Sequence, residues 1–204
     1  MLNSAANLLS CALPGTMPGN VNPPQRNYTP LAFPLNFTTE GKHPAVKEAH
    51  RAVQWWLNDA LHGEKDLARW IVLYGNTGTG KSHLARNAHK LLREFKRRTL
   101  YRRATDMAAD LRAGKYEKID MWAQTPFLII DDFGAEMKSD FLTAQWYDLL
   151  DQRLGKWTII TTNLTPSQVS CHLDPRIASR FYDGMNKLVD LTSAPDYRQQ
   201  HNQH

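Results

Sequence analysis

The chain has 204 residues, and its 25 Lys and Arg exceed its 20 Asp and Glu by a formal net charge of +5. A chain of this length buries roughly 70% of the surface of its unfolded state, which excludes small scaffolds that need disulfides or a metal to fold. Apolar residues make up 42% of the sequence, and no uncharged apolar run approaches the ~18 residues of a membrane span, which excludes a transmembrane protein.

Two features of the sequence bear on the compartment. The cysteines, Cys11 and Cys171, form neither a CxxC pair nor a cluster with histidines, and together they could make at most one bridge. Residues 1–25 contain no Lys or Arg, so the positively charged start of a signal peptide is missing. We therefore expect a cytoplasmic protein with no membrane partner.

The first 36 residues differ in composition from the rest of the chain. They hold six of the eleven prolines and a single charged side chain, Arg26, which predicts a mostly disordered tail. Residues 3–12 could form a short amphipathic helix that docks on a partner, although an unstructured leader fits the same pattern. We expect residues 37–204 to form one globular domain.

Beyond the tail, apolar runs alternate with helical patterns. A first helix is predicted over 44–62, with Gly63 as its C-cap. Five strands are predicted over 70–74, 99–102, 127–131, 158–162 and 187–191. Helices are predicted over 81–95, 105–113 and 139–154, and after the cap residues of Thr165-Pro166 and Asp174-Pro175. This alternation predicts an α/β fold with a largely parallel sheet between helices.

Residues 75–82, with the sequence GNTGTGKS, match the phosphate-binding pattern GxxxxGK[ST] between a predicted strand and a predicted helix. Glycines let backbone N–H groups surround a phosphate, and the start of the helix adds the positive end of its dipole. We expect Lys81 to bridge the β- and γ-phosphates of ATP and the Ser82 hydroxyl to bind Mg²⁺. The residues predicted to contact the nucleotide are Gly75, Asn76, Thr77, Gly78, Thr79, Gly80, Lys81, Ser82 and His83.

Polar side chains follow two later strands at the same predicted edge of the sheet. Asp131 is the predicted second Mg²⁺ anchor, and Asp132 the predicted base or orienter of the attacking water. Asn163 ends the next apolar strand, where it could hydrogen-bond the water or the γ-phosphate. An exposed acidic strand end and an ordinary turn asparagine are the alternatives. With the phosphate loop, these residues predict an NTPase.

Four segments occur in this order along the chain: GNTGTGKSHLA (75–85), LIIDDFGAE (128–136), TIITTNLT (158–165) and DPRIASRF (174–181). Together they resemble the AAA+ ATPases of the bacterial replicative helicase loader (DnaC/DnaI) and IstB-like transposition helper family. The resemblance covers about residues 37–198. It implies a P-loop NTPase of AAA+ type with strand order 5-1-4-3-2. The fifth predicted strand lies close to the end of the sequence, so we expect no C-terminal helical lid.

The resemblance also implies an active site shared between subunits of a homo-oligomer. Arg180 is the expected arginine finger, with Arg176 as the second candidate. Many family members place Glu where this chain has Asp132, so turnover is expected to be slow and switch-like. The residues Asp196-Tyr197-Arg198 resemble the D-Y-R ending of the family.

Two basic regions are candidates for DNA contact. Arg97 and Arg98 lie in a cluster between the phosphate-loop helix and the second strand, where a solvated helix end explains the charges equally well. The resemblance implies that single-stranded DNA contacts the helices after the second strand, where Arg112, Lys115 and Lys118 are the candidates. Tyr116 could stack on bases, whereas Trp122 is expected to pack in the core.

The leading prediction is an ATP-dependent DNA replication accessory protein that hydrolyses ATP to ADP and phosphate at subunit interfaces. It would assemble on single-stranded DNA and help to load a replicative helicase. One alternative is an IstB-like transposition helper that binds duplex DNA and recruits a transposase. Another is an ATP-switched adaptor with little turnover.

Overall fold

The computed structural model describes residues 42–62, 69–134, 139–183 and 186–200. The predicted tail over 1–36, the helix predicted within it and the predicted C-cap Gly63 lie outside the described residues. The strands are β1 (Trp70–Tyr74), β2 (Thr99–Arg103), β3 (Phe127–Phe133), β4 (Trp157–Thr162) and β5 (Lys187–Asp190). The helices are α1 (Pro44–His62), α2 (Lys81–Glu94), α3 (Ala104–Arg112), α4 (Glu117–Gln124), α5 (Asp140–Gln152), α6 (Pro166–His172), α7 (Pro175–Phe181) and α8 (Tyr197–Gln200).

The five strands form one parallel sheet in the order β2-β3-β4-β1-β5. This is the order predicted from the family resemblance, which is confirmed. β1 pairs with β4 from Trp70 opposite Thr158 to Tyr74 opposite Thr162, and β3 lies between β2 and β4. The carboxyl ends of β1, β3 and β4 therefore meet at one edge, which is where ligands bind in open α/β sheets.

Two apolar layers cover the sheet. One is formed with α1 and α2, and the other with α3 to α7. The central strands are apolar on both faces because helices bury both. In α1, Trp56 is fully buried and its indole N–H donates to the carbonyl oxygen of Arg69 at 2.9 Å, while Trp122 in α4 is fully buried on the other face, as predicted.

Local sequence signals account for the starts of the two short helices after β4. Thr165 forms a capping box with Gln168, and the Asp174 side chain accepts the backbone N–H of Arg176 at 2.7 Å. Both predicted caps are confirmed. The strand β3 was predicted to end at 131, but it continues to Phe133. Its pairing with β4 is irregular between Ile130 and Phe133.

Arg153 connects three parts of the fold. It follows α5 and is fully buried, and its guanidinium donates to the carbonyl oxygens of Ala123, Thr125 and Trp157 and to Oγ1 of Thr158. These acceptors lie at the end of α4 and the starts of β3 and β4. Burial lowers the pKa of Arg153 to about 9. Along the described ranges, no helix is both long enough and apolar enough to span a membrane.

Candidate active site

The loop between β1 and α2 is shaped by glycines that approach other backbone closely. Gly75 has a φ of 135°, and a Cβ built on it would lie 2.5 Å from the carbonyl carbon of Leu191. Gly78 has a φ of 75°, and a Cβ there would lie 1.7 Å from Oδ1 of Asp196. A side chain at either position would meet both steric overlap and an unfavourable backbone conformation. The helix α2 begins directly after this loop at Lys81.

Lys81 is buried against the loop that precedes it. Its Nζ donates to the carbonyl oxygen of Gly75 at 2.7 Å and to that of Asn76 at 2.6 Å. Burial lowers the pKa of Lys81 to about 8, and the nearby charges of Asp132 and Asp131 oppose this shift. The predicted phosphate-binding cation and both predicted carboxylates therefore lie close enough to act on one another. A nucleotide phosphate would compete with the loop carbonyls for this ammonium.

Asp131 is only 3% exposed, and hydroxyls from both neighbouring strands bind its carboxylate. Thr161 on β4 donates to Oδ1 at 2.5 Å, and Tyr101 on β2 donates to Oδ2 at 2.5 Å. Arg86 on α2 donates to the Tyr101 hydroxyl at 3.0 Å. Burial and the hydrogen bond to Asp131 raise the pKa of Tyr101 to about 12. No sequence pattern indicated Tyr101 or Arg86, because the pairing of β2 with β3 brings Tyr101, and the packing of α2 brings Arg86, to this carboxylate.

Asp132 lies in the left-handed region, with a φ of 61°. Its backbone N–H donates to Oγ1 of Thr161 at 2.9 Å, and its Oδ1 accepts from Nδ2 of Asn163 at 3.1 Å. Asp and Asn enter this region more readily than longer side chains, which gives a local reason for Asp at this position. The structure thus brings Asp132 and Asn163 together, as the sequence predicted for the same sheet edge.

The remaining predicted nucleotide contacts lie on the loop or on the first turn of α2. Asn76 and Thr77 are exposed, Thr79 is buried with its hydroxyl on the carbonyl oxygen of Asn76 at 3.0 Å, and Ser82 is half-buried. His83 is exposed and contacts Asn87 at 3.0 Å.

The Ser82 hydroxyl and the Asp131 carboxylate are hard oxygen ligands, which is the donor set that Mg²⁺ prefers. These two side chains therefore suit the predicted cation. Both lie at the same edge of the sheet as the phosphate loop: Ser82 is near the start of α2, and Asp131 is near the end of β3.

The segment after β5 packs onto the phosphate loop. The backbone N–H of Tyr197 donates to the carbonyl oxygen of Gly78 at 3.1 Å, and Asp196 lies against the same glycine. The Tyr197 hydroxyl accepts the backbone N–H of His43 at 3.1 Å. Arg198 is exposed, and its charge acts on Lys81. These contacts join the start of α1, the loop and the D-Y-R residues.

The two predicted arginine fingers lie on α7 and point toward α5. Arg180 makes an ion pair with Asp151 at 2.7 Å and donates to the Tyr147 hydroxyl at 2.8 Å. Arg176 pairs with Asp174 at 2.8 Å and lies 4.8 Å from the Tyr147 ring centre. The side chain of Arg176 is 62% exposed and that of Arg180 only 26%. Within the chain, both are thus held by partners on the same surface.

The predicted DNA contacts fall on two surfaces. Lys115 and Lys118 both bind the carboxylate of Asp110, at 3.0 and 2.6 Å, and these hydrogen bonds lower the pKa of Asp110 to about 2. The ring of Tyr116 is 51% exposed and lies edge-on to that of Phe141 at 5.9 Å.

The other three predicted cations are exposed. Arg112 ends α3, and Arg97 and Arg98 precede β2. Arg97 donates to the carbonyl oxygen of Leu61 at 2.7 Å, which ties it to the end of α1. The structure therefore does not gather all five predicted DNA-binding side chains around one centre.

Sequence comparison relates the chain to one family and to two characterised proteins. The family described as IstB-like ATP binding protein matches residues 64–202. The chromosomal replication initiator protein DnaA of Acinetobacter baylyi is 29% identical over 182 residues, which are 83% of this chain and 37% of that protein. The phage-like element PBSX protein XkdC of Bacillus subtilis is 25% identical over 175 residues, which are 81% and 66%. The chain thus spans less than two thirds of either relative.

Solved structures share the fold. The DnaC helicase loader has a TM-score of 0.63 and 24% identity, over 72% of this chain and 90% of that chain. The replication initiator DnaA bound to AMPPCP and single-stranded DNA has a TM-score of 0.60 and 23% identity, over 76% of this chain and 49% of that chain. These similarities show a P-loop domain of AAA+ type, the predicted fold class.

Proposed function

This chain belongs to the family of IstB-like ATP binding proteins, and from that premise we propose that it is a Mg²⁺-dependent ATPase that acts in DNA replication. The observation that carries the proposal is the meeting of Lys81, Asp131, Asp132 and Asn163 at one edge of the sheet, beside the phosphate loop. A cation, two carboxylates and an amide in this arrangement are the groups that phosphoryl transfer to water requires.

The phosphate loop would bind the nucleotide through its backbone and Lys81. The N–H groups before α2 and the positive end of its helix dipole favour the phosphates, and Lys81 would exchange its loop carbonyls for phosphate oxygens. Mg²⁺, held by the Ser82 hydroxyl and Asp131, would neutralise charge on the phosphate oxygens during transfer. Thr161 and Tyr101 fix the Asp131 carboxylate from either side.

Asp132 would orient the attacking water and accept its proton. The water oxygen bonds to the γ-phosphorus as the bond to the β–γ bridging oxygen breaks, which gives ADP and phosphate. Asn163 holds Oδ1 of Asp132 and is exposed at the same edge, so it can contact either the water or the γ-phosphate. We expect slow, switch-like turnover, because the Asp132 side chain is one methylene shorter than a Glu at this position would be.

Arg180 would complete a neighbouring subunit's site, with Arg176 as the second candidate. Both lie on α7, and within one chain Arg180 is bound to Asp151 rather than to the chain's own phosphate loop. A finger supplied by a neighbour stabilises the charge of the transition state, so an isolated subunit would hydrolyse ATP poorly. The proposed active form is therefore a homo-oligomer assembled on ATP.

Single-stranded DNA is the proposed second ligand, and a replicative helicase the proposed partner. The similarity to a DnaC helicase loader and to a DnaA bound to single-stranded DNA supports this choice. On the chain itself, Lys115, Lys118 and Arg102 all pair with the single carboxylate of Asp110, and the Tyr116 ring between the two lysines in sequence is exposed. Arg112, Arg97 and Arg98 would add phosphate contacts. We place the ATPase domain at 37–204 and a partner-binding tail at 1–36.

A transposition helper that binds duplex DNA and recruits a transposase is the second candidate. The observation that favours it is the IstB-like family match over 64–202. The two candidates share the ATP chemistry and differ in the DNA that stimulates it. An ATP-switched adaptor would bind nucleotide with little turnover on either DNA.

The deciding experiment measures ATP hydrolysis across a series of protein concentrations, without DNA, with single-stranded DNA and with duplex DNA. Lys81→Ala is the blank, and Lys90→Ala, an exposed lysine on the same helix, is the matched control. Turnover that rises faster than protein concentration and rises further with single-stranded DNA supports the helicase-loader proposal. Stimulation by duplex DNA alone favours the transposition helper. ATP binding without turnover in every condition contradicts the ATPase.

A further inference from the structure

Three side chains from three elements form a continuous set of contacts beside the phosphate loop. Nε of Arg86, on α2, donates to the hydroxyl of Tyr101, on β2, at 3.0 Å. That hydroxyl donates its own hydrogen to Oδ2 of Asp131, on β3, at 2.5 Å. Arg86 also approaches Asp131 directly, with Nη2 4.0 Å from Oδ2. The phenol hydroxyl thus lies between a cation and the carboxylate proposed to anchor Mg²⁺.

Strand register explains how Tyr101 reaches Asp131. In the β2–β3 pair, Tyr101 is opposite Ile129, and Asp131 lies two residues further along β3. Residues two apart in a strand share a face, so Tyr101, Ile129 and Asp131 lie on the face covered by α2. The length of the tyrosine side chain then spans the offset between the two positions. A phenylalanine would keep the ring packing and lose only the hydroxyl.

The hydroxyls leave the Asp131 carboxylate able to accept more contacts. Tyr101 donates to Oδ2 and Thr161 to Oδ1, one hydrogen bond to each oxygen. An ionised carboxylate has about four lone-pair sites, so each oxygen retains acceptor capacity for a cation or its bound water. Two donors from opposite strands also fix the rotation of the carboxylate plane. The Asp131 carboxylate is therefore held in one orientation while both of its oxygens can still bind a cation.

The position of Arg86 gives the tyrosine a second effect. Arginine prefers to bind a carboxylate directly through two parallel N–H groups, and such a pair would occupy the oxygens that a divalent cation needs. Here the guanidinium side chain is 64% exposed, and its closest approach to Asp131 is 4.0 Å. The Tyr101 hydroxyl takes the Nε–H of Arg86 instead.

We propose that Tyr101 is a positioning residue for the divalent-cation site: it orients Asp131 and keeps Arg86 from hydrogen-bonding directly to that carboxylate. This deepens the proposed function and rests on it, since it assigns how the Mg²⁺ anchor is kept available. It also predicts what Arg86 does when the Tyr101 hydroxyl is removed. The guanidinium would then bind Asp131 and compete with the cation for its oxygens.

The test measures Mn²⁺ binding by electron paramagnetic resonance in the presence of a non-hydrolysable ATP analogue, on the full chain. Mn²⁺ is the probe because it takes the same oxygen ligands as Mg²⁺. Tyr101→Phe is expected to weaken Mn²⁺ binding about tenfold, in the range found for residues that orient a metal ligand. Tyr101→Phe with Arg86→Ala is expected to recover the part of that loss that Arg86 causes, since the hydroxyl that orients Asp131 is absent from both variants. Arg93→Ala, an exposed arginine on the same helix, is the matched control.

Analogue binding in EDTA is measured on every variant, with thermal unfolding as the check of folding. Analogue binding is expected to match the wild type, because the hydrogen bonds of Arg86 and Tyr101 run to the Tyr101 hydroxyl and to Asp131 and not to the phosphate loop. A single cooperative thermal transition shows that each variant is folded. Equal Mn²⁺ affinity in the wild type and Tyr101→Phe overturns the proposal, and so does a loss that Arg86→Ala leaves unchanged. A wild type that binds no analogue either in EDTA or with Mg²⁺ present overturns the nucleotide site itself, and this proposal with it.

Discussion

Nδ2 of Asn163 donates to Oδ1 of Asp132 at 3.1 Å, so polar residues at the carboxyl ends of two neighbouring strands are in direct contact. The contact links Asp132, which is proposed to orient the attacking water, to Asn163, which is proposed to contact the water or the γ-phosphate. Because the contact engages one carboxylate oxygen, the other remains available to a water molecule.

Asp132→Asn is expected to lower ATP hydrolysis by about 100-fold or more while ATP binding stays within a fewfold of the wild type. The amide cannot accept a proton from water, yet Asn tolerates the left-handed backbone at this position, so the fold is preserved. Single-turnover hydrolysis and fluorescent-nucleotide binding measure the two effects. Asp148→Asn, an exposed residue on α5, is the control. Normal turnover by Asp132→Asn would contradict the role of Asp132 as the base that accepts the proton from water.

Arg180→Ala is expected to bind ATP normally and to lose assembly-dependent hydrolysis, because the finger acts on a neighbour's phosphate. The sharpest form of the test mixes two inactive proteins. Lys81→Ala keeps its finger and Arg180→Ala keeps its nucleotide site, so mixed assemblies regain turnover if the site is shared between subunits. Failure of every mixture to recover, with both variants folded and assembling, would contradict the shared site. Arg176→Ala run in parallel decides between the two fingers.

Asp151→Asn extends the finger prediction. It removes the charge that pairs with Arg180 at 2.7 Å while leaving the Tyr147 hydroxyl as a partner. The side chain of Asp151 is 48% exposed, so little stability is lost with the pair. A freer finger should keep or raise assembly-dependent hydrolysis, which the same turnover assay measures.

Gly78→Ala is expected to weaken ATP binding strongly, since the new Cβ would overlap the Asp196 carboxylate and displace the segment that carries Tyr197. Gly114 provides a matched control. Its φ of 77° is nearly that of Gly78, but a Cβ there meets open space. Gly114→Ala should therefore show only backbone strain of about 1–2 kcal/mol in urea unfolding, with unchanged ATP binding. Equal behaviour of the two variants would argue against a coupled loop and C-terminal segment.

Arg153→Met is expected to destabilise the domain by about 3 kcal/mol or more, because several buried carbonyl oxygens lose their donor at once. Lys156→Met is the control. This half-buried lysine shares one acceptor with Arg153, the carbonyl oxygen of Ala123, to which its Nζ donates at 3.0 Å. Its cost should be about 1 kcal/mol. Equilibrium urea unfolding measures both, and a small effect at Arg153 would mean that water replaces the guanidinium.

Several features of this protein depend on short stretches of sequence, and the sequence alone predicted them. The phosphate loop, the apolar strands and the Thr165 and Asp174 caps each rest on residues within about one helical turn or one strand. Hydrophobic periodicity and capping chemistry act at this range, so they can be read without tertiary contacts. The strand order came from the family resemblance and agrees with the structure.

Tertiary structure alone decided which distant side chains meet. Tyr101 and Arg86 reach Asp131 from other elements because β2 pairs with β3 and α2 covers that face. Arg153 appeared in no sequence pattern because its acceptors are backbone carbonyls, which every residue carries. Local patterns place residues along a strand or helix, whereas strand order, register and burial determine which of them touch, and those are properties of the whole packed chain.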